Sequence, residues 1–302
     1  MGLLVVASAK GSPGVTTTAL LLGGLWPRQS VVAECDPSGA DVAWRMPARD
    51  GQPLDPQTGV LSLVAAGRKT MHPGLLLQHS QQIVGGLDVL AGVSAPEQAG
   101  GVRWDELGRL LADVSGLDVI ADLGRIGAST PQNALLARAA AVLMLVDTLP
   151  SNVVHLRERL TRLRGSLGGP LAPPVHVAVV APPKRDRAVR EVADALQRAD
   201  VEVEGVHHLA HDVSGAGFFL GQVRGRADRT ALVRSAQPLV ATLAGRTARH
   251  FVGDEQPAAG SAAETDDAGI GPGAGGDARP GAGPAPGQPV GQPVGQDPEA
   301  SA

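Results

Sequence analysis

Leu3-Leu4-Val5-Val6-Ala7-Ser8 runs into Ala9-Lys10-Gly11-Ser12-Pro13-Gly14-Val15-Thr16-Thr17-Thr18 and then into Ala19-Leu20-Leu21-Leu22. An apolar run of strand length meets a Gly-rich turn that opens directly into a helix-forming Ala/Leu segment. This is the layout of a phosphate-binding loop, in which successive backbone N–H groups wrap an anion and the helix N-terminus adds its positive partial charge. The common form of that loop reads G-x-x-x-x-G-K-[ST]. Here Gly14 supplies the second glycine and Thr16 the hydroxyl, Val15 stands where the lysine is expected, and a lysine occurs five residues earlier as Lys10. The same letters also spell an ordinary Gly/Pro turn between a strand and a helix, so the remainder of the chain decides between the two readings.

Composition narrows the choice. A chain of 302 residues with 43% hydrophobic content can bury a sizeable core, but with 2% aromatics and no Tyr that core is built from Ala, Val and Leu. A stacking platform for single-stranded nucleic acid is not expected from such a composition. One cysteine, Cys35, excludes an internal disulfide framework and fits a reducing compartment. The opening apolar run is too short for a signal peptide, Val6 occupies the position where N-myristoylation after Met1-Gly2 needs Ser or Thr, and no run approaches the length of a membrane helix. A cytoplasmic protein is expected. From Asp254 onward eight acids face a single base, Arg279, so residues 1–253 carry a net charge of +3 within a whole-chain charge of −4. A mildly basic body is compatible with weak non-specific DNA contact and does not demand it.

Further along, Ser30–Glu34 reads as a second buried strand that delivers Cys35-Asp36-Pro37-Ser38-Gly39-Ala40-Asp41 at its C-terminal end, where open parallel sheets place their ligands. Asp36-Pro37-Ser38-Gly39 also fits a plain type I turn. Residues 45–58 read as loop, with short helical pieces at 59–66 and 73–81 and a short strand at 87–90. Trp104, Leu107, Leu110, Leu111 and Val114 share one face of a helix over 103–114, which makes Trp104 a core anchor. Leu117–Gly124 is a buried strand carrying Asp122. P-loop proteins hold Mg²⁺ with such a strand-end acid, opposite the loop hydroxyl; Asp122 and Thr16 fit those two roles, partly through water. Strands at 141–146, 175–181 and 201–206 alternate with helices at 153–167, 187–199 and 230–250, the first of these capped by Ser151 or Asn152. The arginines at 157, 159, 162 and 164, and those at 224, 226, 229 and 234, read as solvated faces. No Cys lies near His207, His208 and His211 and no second ligand pair is spaced for zinc, so they read as loop histidines. After Val252, Gly, Ala, Pro, Gln and acids dominate and Gly-Gln-Pro-Val occurs twice, the composition of a disordered tail over 253–302 with no amphipathic membrane helix.

Strand and helix alternating in this way predict a doubly wound, mostly parallel α/β domain over residues 1–252. The early lysine of Lys10-Gly11-Ser12-Pro13-Gly14-Val15-Thr16, the Asp36-Pro37-x-Gly39 turn and the Asp122 strand together resemble the ParA/MinD group of P-loop ATPases, whose deviant loop reads K-G-G-x-G-K-[ST]. The chain departs from that pattern at Ser12, at Val15, and at Glu34, where the group usually has Asp. The resemblance implies ATP and Mg²⁺, with Gly11, Ser12, Pro13, Gly14, Val15, Thr16 and Thr17 cradling phosphates and Pro182 near the base. It also implies an ATP-dependent homodimer in which Lys10 reaches the partner's phosphates, Asp36 directing the attacking water, and 124–131 as the nucleotide-sensing switch. Histidines 207, 208 and 211 would then lie near the nucleotide. Such a switch positions a chromosome, plasmid, septum or secretion machine through an adaptor or activator protein. With Val15 in place of lysine the alternative is a non-hydrolysing scaffold of the Tad pilus placement type; a metabolic ligase of the same superfamily is a third reading, for which no substrate constellation is visible.

Overall fold

The computed structural model describes residues 2–11, 13–67, 74–167, 172–183, 186–223 and 225–252; Ser12, Lys184, Arg185, Arg224 and the tail expected over 253–302 lie outside the described residues. Residues 1–256 form one unit, and the second unit, 257–302, falls wholly in that undescribed part.

Eight strands form one sheet: β1 Leu3–Ser8, β2 Ser30–Glu34, β3 Gln81–Gln82, β4 Asp88–Leu90, β5 Asp118–Arg125, β6 Ala141–Asp147, β7 Val175–Ala181 and β8 Gly205–Ala210. They lie in the order β3-β4-β2-β5-β1-β6-β7-β8, and all neighbours are parallel except β3 with β4. β1 is buried at every position and sits between β5 and β6, so the chain leaves it toward one edge of the sheet and returns to build the other. A cleft at the carboxyl ends of the strands follows at that reversal, the place where doubly wound sheets bind ligands.

Side chains alternate across the sheet because successive Cβ atoms point to opposite faces. Leu3, Val5 and Ala7 face one core, which is closed by α5 (Trp104–Asp113), the 3₁₀ segment Pro131–Arg138, α6 (Pro150–Ser166) and α7 (Asp186–Gln197). Leu4 and Val6 face the other, closed by α1 (Val15–Leu25) and α9 (Ala231–Val252). Trp104 is buried and its indole N–H donates to the Ala99 carbonyl at 3.2 Å, the anchor its spacing predicts. At the amino end of the strands, fully buried Asp118 accepts hydrogen bonds from the Gly2 N–H (2.8 Å), the Trp26 indole (2.7 Å) and Arg28 Nε (2.7 Å). Arg28 continues to the Ala244 carbonyl and the Thr247 hydroxyl, so one carboxylate ties β1, the end of α1 and α9 together.

Several local expectations need correction. The last strand is not 201–206 but β8, which begins at Gly205 opposite His176. His207 and His208 are therefore strand residues, tolerated because β8 is an edge whose first four positions are only half-buried. Gln81 and Gln82 form the short antiparallel edge β3 instead of ending a helix, and the helix before them is α4, Gly74–Gln78. The stretch 45–58 opens on the end of α2, Val42–Arg45, while the helix at 59–66 is α3, Val60–Ala66. α6 starts a turn earlier than expected, with Pro150 in its first turn and no side-chain cap, so neither Ser151 nor Asn152 caps it. A helix not read from the sequence, α8 (Val213–Phe219), precedes α9. Among the described residues no helix is long and apolar enough to cross a membrane.

Candidate functional site

β1 ends at buried Ser8, and the loop that follows re-enters helical geometry at Gly14, whose φ of 90° and ψ of 46° are left-handed and suit glycine. The first intrahelical bond of α1 runs from the Thr18 N–H to the Gly14 carbonyl at 2.8 Å, and no side chain caps the N-terminus. The leading N–H groups of α1 are thus left to an external acceptor, as in an anion-binding loop. Val15 is 7% exposed and packs into the core beneath α1, so position 15 contributes a backbone N–H and no charge. Lys10 is exposed, with no hydrogen bond or ion pair to any described residue.

Asp122 lies in register with Val6 of β1 on one side and Glu34 of β2 on the other. It is 1% exposed, its Oδ1 accepts the Gly124 N–H at 2.9 Å, and the Thr16 hydroxyl lies near enough to favour its ionised form. Burial pushes its pKa up to about 6 against the influence of Thr16 and the Gly124 N–H, with the nearby charges of Asp36 and Asp41 adding to the rise. A divalent cation would return such a carboxylate to its ionised form, so the pair Thr16 and Asp122 fits the donor set that a hydrated Mg²⁺ needs.

Asp36 turns on itself, Oδ1 accepting the Ser38 N–H at 2.8 Å. Its carboxylate rests on Gly124, which has φ +57°: a Cβ there would lie 1.8 Å from Asp36 Oδ2. The loop after β2 and the end of β5 therefore touch, through Asp36 and a glycine two residues beyond Asp122. Glu34 has a different place. It is 3% exposed, Oε1 accepting the Asp41 (3.2 Å) and Val42 (3.0 Å) N–H groups and Oε2 that of Gly92 (3.2 Å). Burial pushes it up to about 7 despite those bonds, with Asp122 contributing. Glu34 holds the loop that carries Asp36 against the end of β4.

Beside the loop opens a cavity of about 380 Å³. Pro13, Gly14 and Thr17 form one wall; the ends of β7 and β8 and the apolar faces of α8 and α9 form the others. Its shape depends on Asp212, which caps both helices: Oδ1 accepts the Gly215 N–H (3.0 Å) and Oδ2 those of Ala231 (2.9 Å) and Leu232 (3.3 Å). These bonds, the Gly215 bond foremost, hold the Asp212 pKa below the usual carboxylate value. The sequence signal was Asp212-Val213-Ser214-Gly215, an N-cap pattern ahead of a segment too rich in glycine to show periodicity. His211 lines this cavity, whereas Pro182 does not; Pro182 is exposed and its carbonyl lies 3.3 Å from His208 Nε2. His176 Nδ1 and His207 Nε2 meet at 3.2 Å, and among the described residues no three His, Cys, Asp or Glu side chains are grouped to hold a metal. A larger hollow of about 570 Å³ lies at the opposite end of β7, against α6, and faces none of these groups.

No family model matches the chain, and no curated protein does. Solved structures do. A ParA family ATPase from Chlorobium tepidum TLS superposes with a TM-score of 0.63 at 13% identity, covering 80% of this chain and 98% of that one. The septum site-determining protein MinD from Pyrococcus horikoshii OT3, complexed with Mg-ADP, gives 0.59 at 12% identity, covering 80% and 95%. Cobyrinic acid a,c-diamide synthase from Mycobacterium smegmatis, with ADP and magnesium bound, gives 0.52 at 17%, covering 83% and 95%. At these identities the likeness establishes architecture: this chain has the fold of the ParA/MinD P-loop ATPases. In this chain the loop after β1 has Val15 where a lysine is expected, and Thr16 and Asp36 both lie near Asp122.

Proposed function

We propose that the protein is an ATP-binding switch that dimerises on Mg²⁺-ATP and positions a cellular cargo. The observation that carries this is the convergence of three separate segments at the carboxyl end of the sheet: Thr16 beside Asp122, and Asp36 seated on Gly124. The Gly11–Thr17 backbone, through its N–H groups other than at Pro13, binds phosphate oxygens, and the cavity beyond Pro13 and Thr17 takes the base. Thr16 and Asp122 hold Mg²⁺, which neutralises phosphate charge when bound. Asp36 orients water, and exposed Lys10 is available to a second subunit's phosphates. That MinD was solved with Mg-ADP and a McdA variant with ATP supports the choice of ligand. The cargo and the adaptor or activator protein are parts of this reading that belong to the cell.

A second reading, a scaffold that binds nucleotide without turning it over, is favoured by buried Val15, since one charge that usually assists phosphoryl transfer is missing from the loop. Light scattering separates switch from scaffold. The switch reading expects monomer without nucleotide and with Mg²⁺-ADP, dimer with Mg²⁺-ATP, and monomer throughout for Lys10→Ala. An unchanged wild-type mass in Mg²⁺-ATP, or a Lys10→Ala protein that dimerises like the wild type, rejects it.

A further inference from the structure

Position 15 leaves the loop short of one positive charge, yet a second cation stands at its edge. β1 and β5 are in register at Val6 with Asp122 and again at Ser8 with Arg125, so β5 spends three residues where β1 spends two. The extra residue is absorbed at Gly124, in its left-handed conformation. Arg125 is thereby brought opposite Ser8, one strand spacing (about 5 Å) from the residue that opens the loop. Its backbone is fixed on both sides. The Ile126 N–H donates to the Ser8 carbonyl at 2.9 Å, and Gln132, fully buried, donates from Nε2 to the carbonyls of Leu123 (3.3 Å) and Arg125 (3.4 Å). The side chain is not fixed. Arg125 is exposed at the end of β5 and its guanidinium makes no hydrogen bond or ion pair with any described residue, although the acids Asp36, Asp41 and Asp122 lie at the same end of the sheet.

A clamped backbone under a free guanidinium, beside an anion cradle, is the arrangement of a group kept for a ligand. A guanidinium offers paired donors to two phosphate oxygens, a geometry that suits a terminal phosphoryl group better than a bridging one. We propose that Arg125 supplies, within its own subunit, the positive charge that position 15 lacks, binding the terminal phosphate of a nucleoside triphosphate. This rests on the nucleotide reading above. It makes Arg125 the residue that distinguishes triphosphate from diphosphate, while Lys10 serves the opposite subunit.

Calorimetric titration of the full chain with Mg²⁺-ATP and with Mg²⁺-ADP tests this in wild type, Arg125→Ala and Arg125→Lys. The expected result is a wild type that prefers ATP, an Arg125→Ala protein that binds ATP at least tenfold more weakly with ADP affinity changed less than threefold, and an Arg125→Lys protein in between. Arg125→Ala with ATP affinity within twofold of wild type overturns the assignment while leaving nucleotide binding intact. Equal loss of ATP and ADP also overturns it, because that marks a structural role for the side chain. A wild type that binds neither nucleotide refutes the proposed function itself, and this inference with it.

Discussion

Replacing Gly124 with Ala tests whether Asp36 and the end of β5 form one unit. Two costs are expected. The backbone at φ +57° carries a penalty of about 1–2 kcal/mol for any residue with a Cβ. The new methyl would also overlap the Asp36 carboxylate, with Oδ2 at 1.8 Å and Cγ at 2.3 Å, so the side chain must leave and its bond from the Ser38 N–H breaks. That bond is exposed, which puts the second cost at about 1–2 kcal/mol, and the sum at roughly 2–4 kcal/mol. Gly86→Ala is the internal control, since Gly86 has φ +86° but nothing within 4 Å of its Cβ position, and carries only the backbone cost. Urea denaturation of wild type, Gly124→Ala, Asp36→Ala and the double variant closes a cycle in which the overlap cost disappears once Asp36 is alanine. A Gly124→Ala penalty that is the same in both backgrounds, or no larger than that of Gly86→Ala, refutes the contact.

Two further outcomes follow from buried acids. Glu34, at about 7, and Asp122, at about 6, are both raised above their unfolded values, so between pH 4 and 7 the folded protein keeps protons that the unfolded chain has lost. Stability from these groups is complete at acid pH and declines as pH rises toward 7, by about 3 kcal/mol for Glu34 alone; Glu34→Gln should flatten thermal stability against pH over that range, and an unaltered slope would contradict the assignment. Asp118→Ala leaves the Trp26 indole and the Gly2 N–H unpartnered and the Arg28 guanidinium without its carboxylate. A loss of about 3–5 kcal/mol in chemical denaturation is expected, and a loss under 1 kcal/mol would show that solvent takes over those donors.

The parts legible in the sequence are those where one short window carries the whole signal. β1 and β2 are continuous apolar runs with turns at their ends, and both occur at the residues expected. Asp122 and Thr16 are picked out by motif order, and the fold sets them near one another. What escaped depends on distant segments. β8 carries histidines where apolar residues would announce a strand, and it is a strand because β7 offers it a ladder. α8 has Gly215 and Gly217 facing inward and no apolar stripe, and is held by Asp212, whose other oxygen serves α9. The cavity wall combines residues from Pro13 to Leu232, a span that no local pattern describes. Glu34 was visible as a motif departure, but its anchoring work comes from N–H donors of Asp41, Val42 and Gly92, the last more than fifty residues away.

β5 carries two acids, Asp118 at its start and Asp122 four residues on, both out of contact with solvent, and the two live in opposite circumstances. Asp118 is saturated by an amide, an indole and a guanidinium, while Asp122 accepts one amide, has the Thr16 hydroxyl nearby and faces other acids. The strand therefore holds a rivet at its start and, in the function proposed above, a receptor further along. Damage at the first should appear in melting curves with ligand affinity intact among the molecules that remain folded, and damage at the second should do the reverse. If the proposed nucleotide site is right, a variant library sorted on those two axes would divide along a single strand.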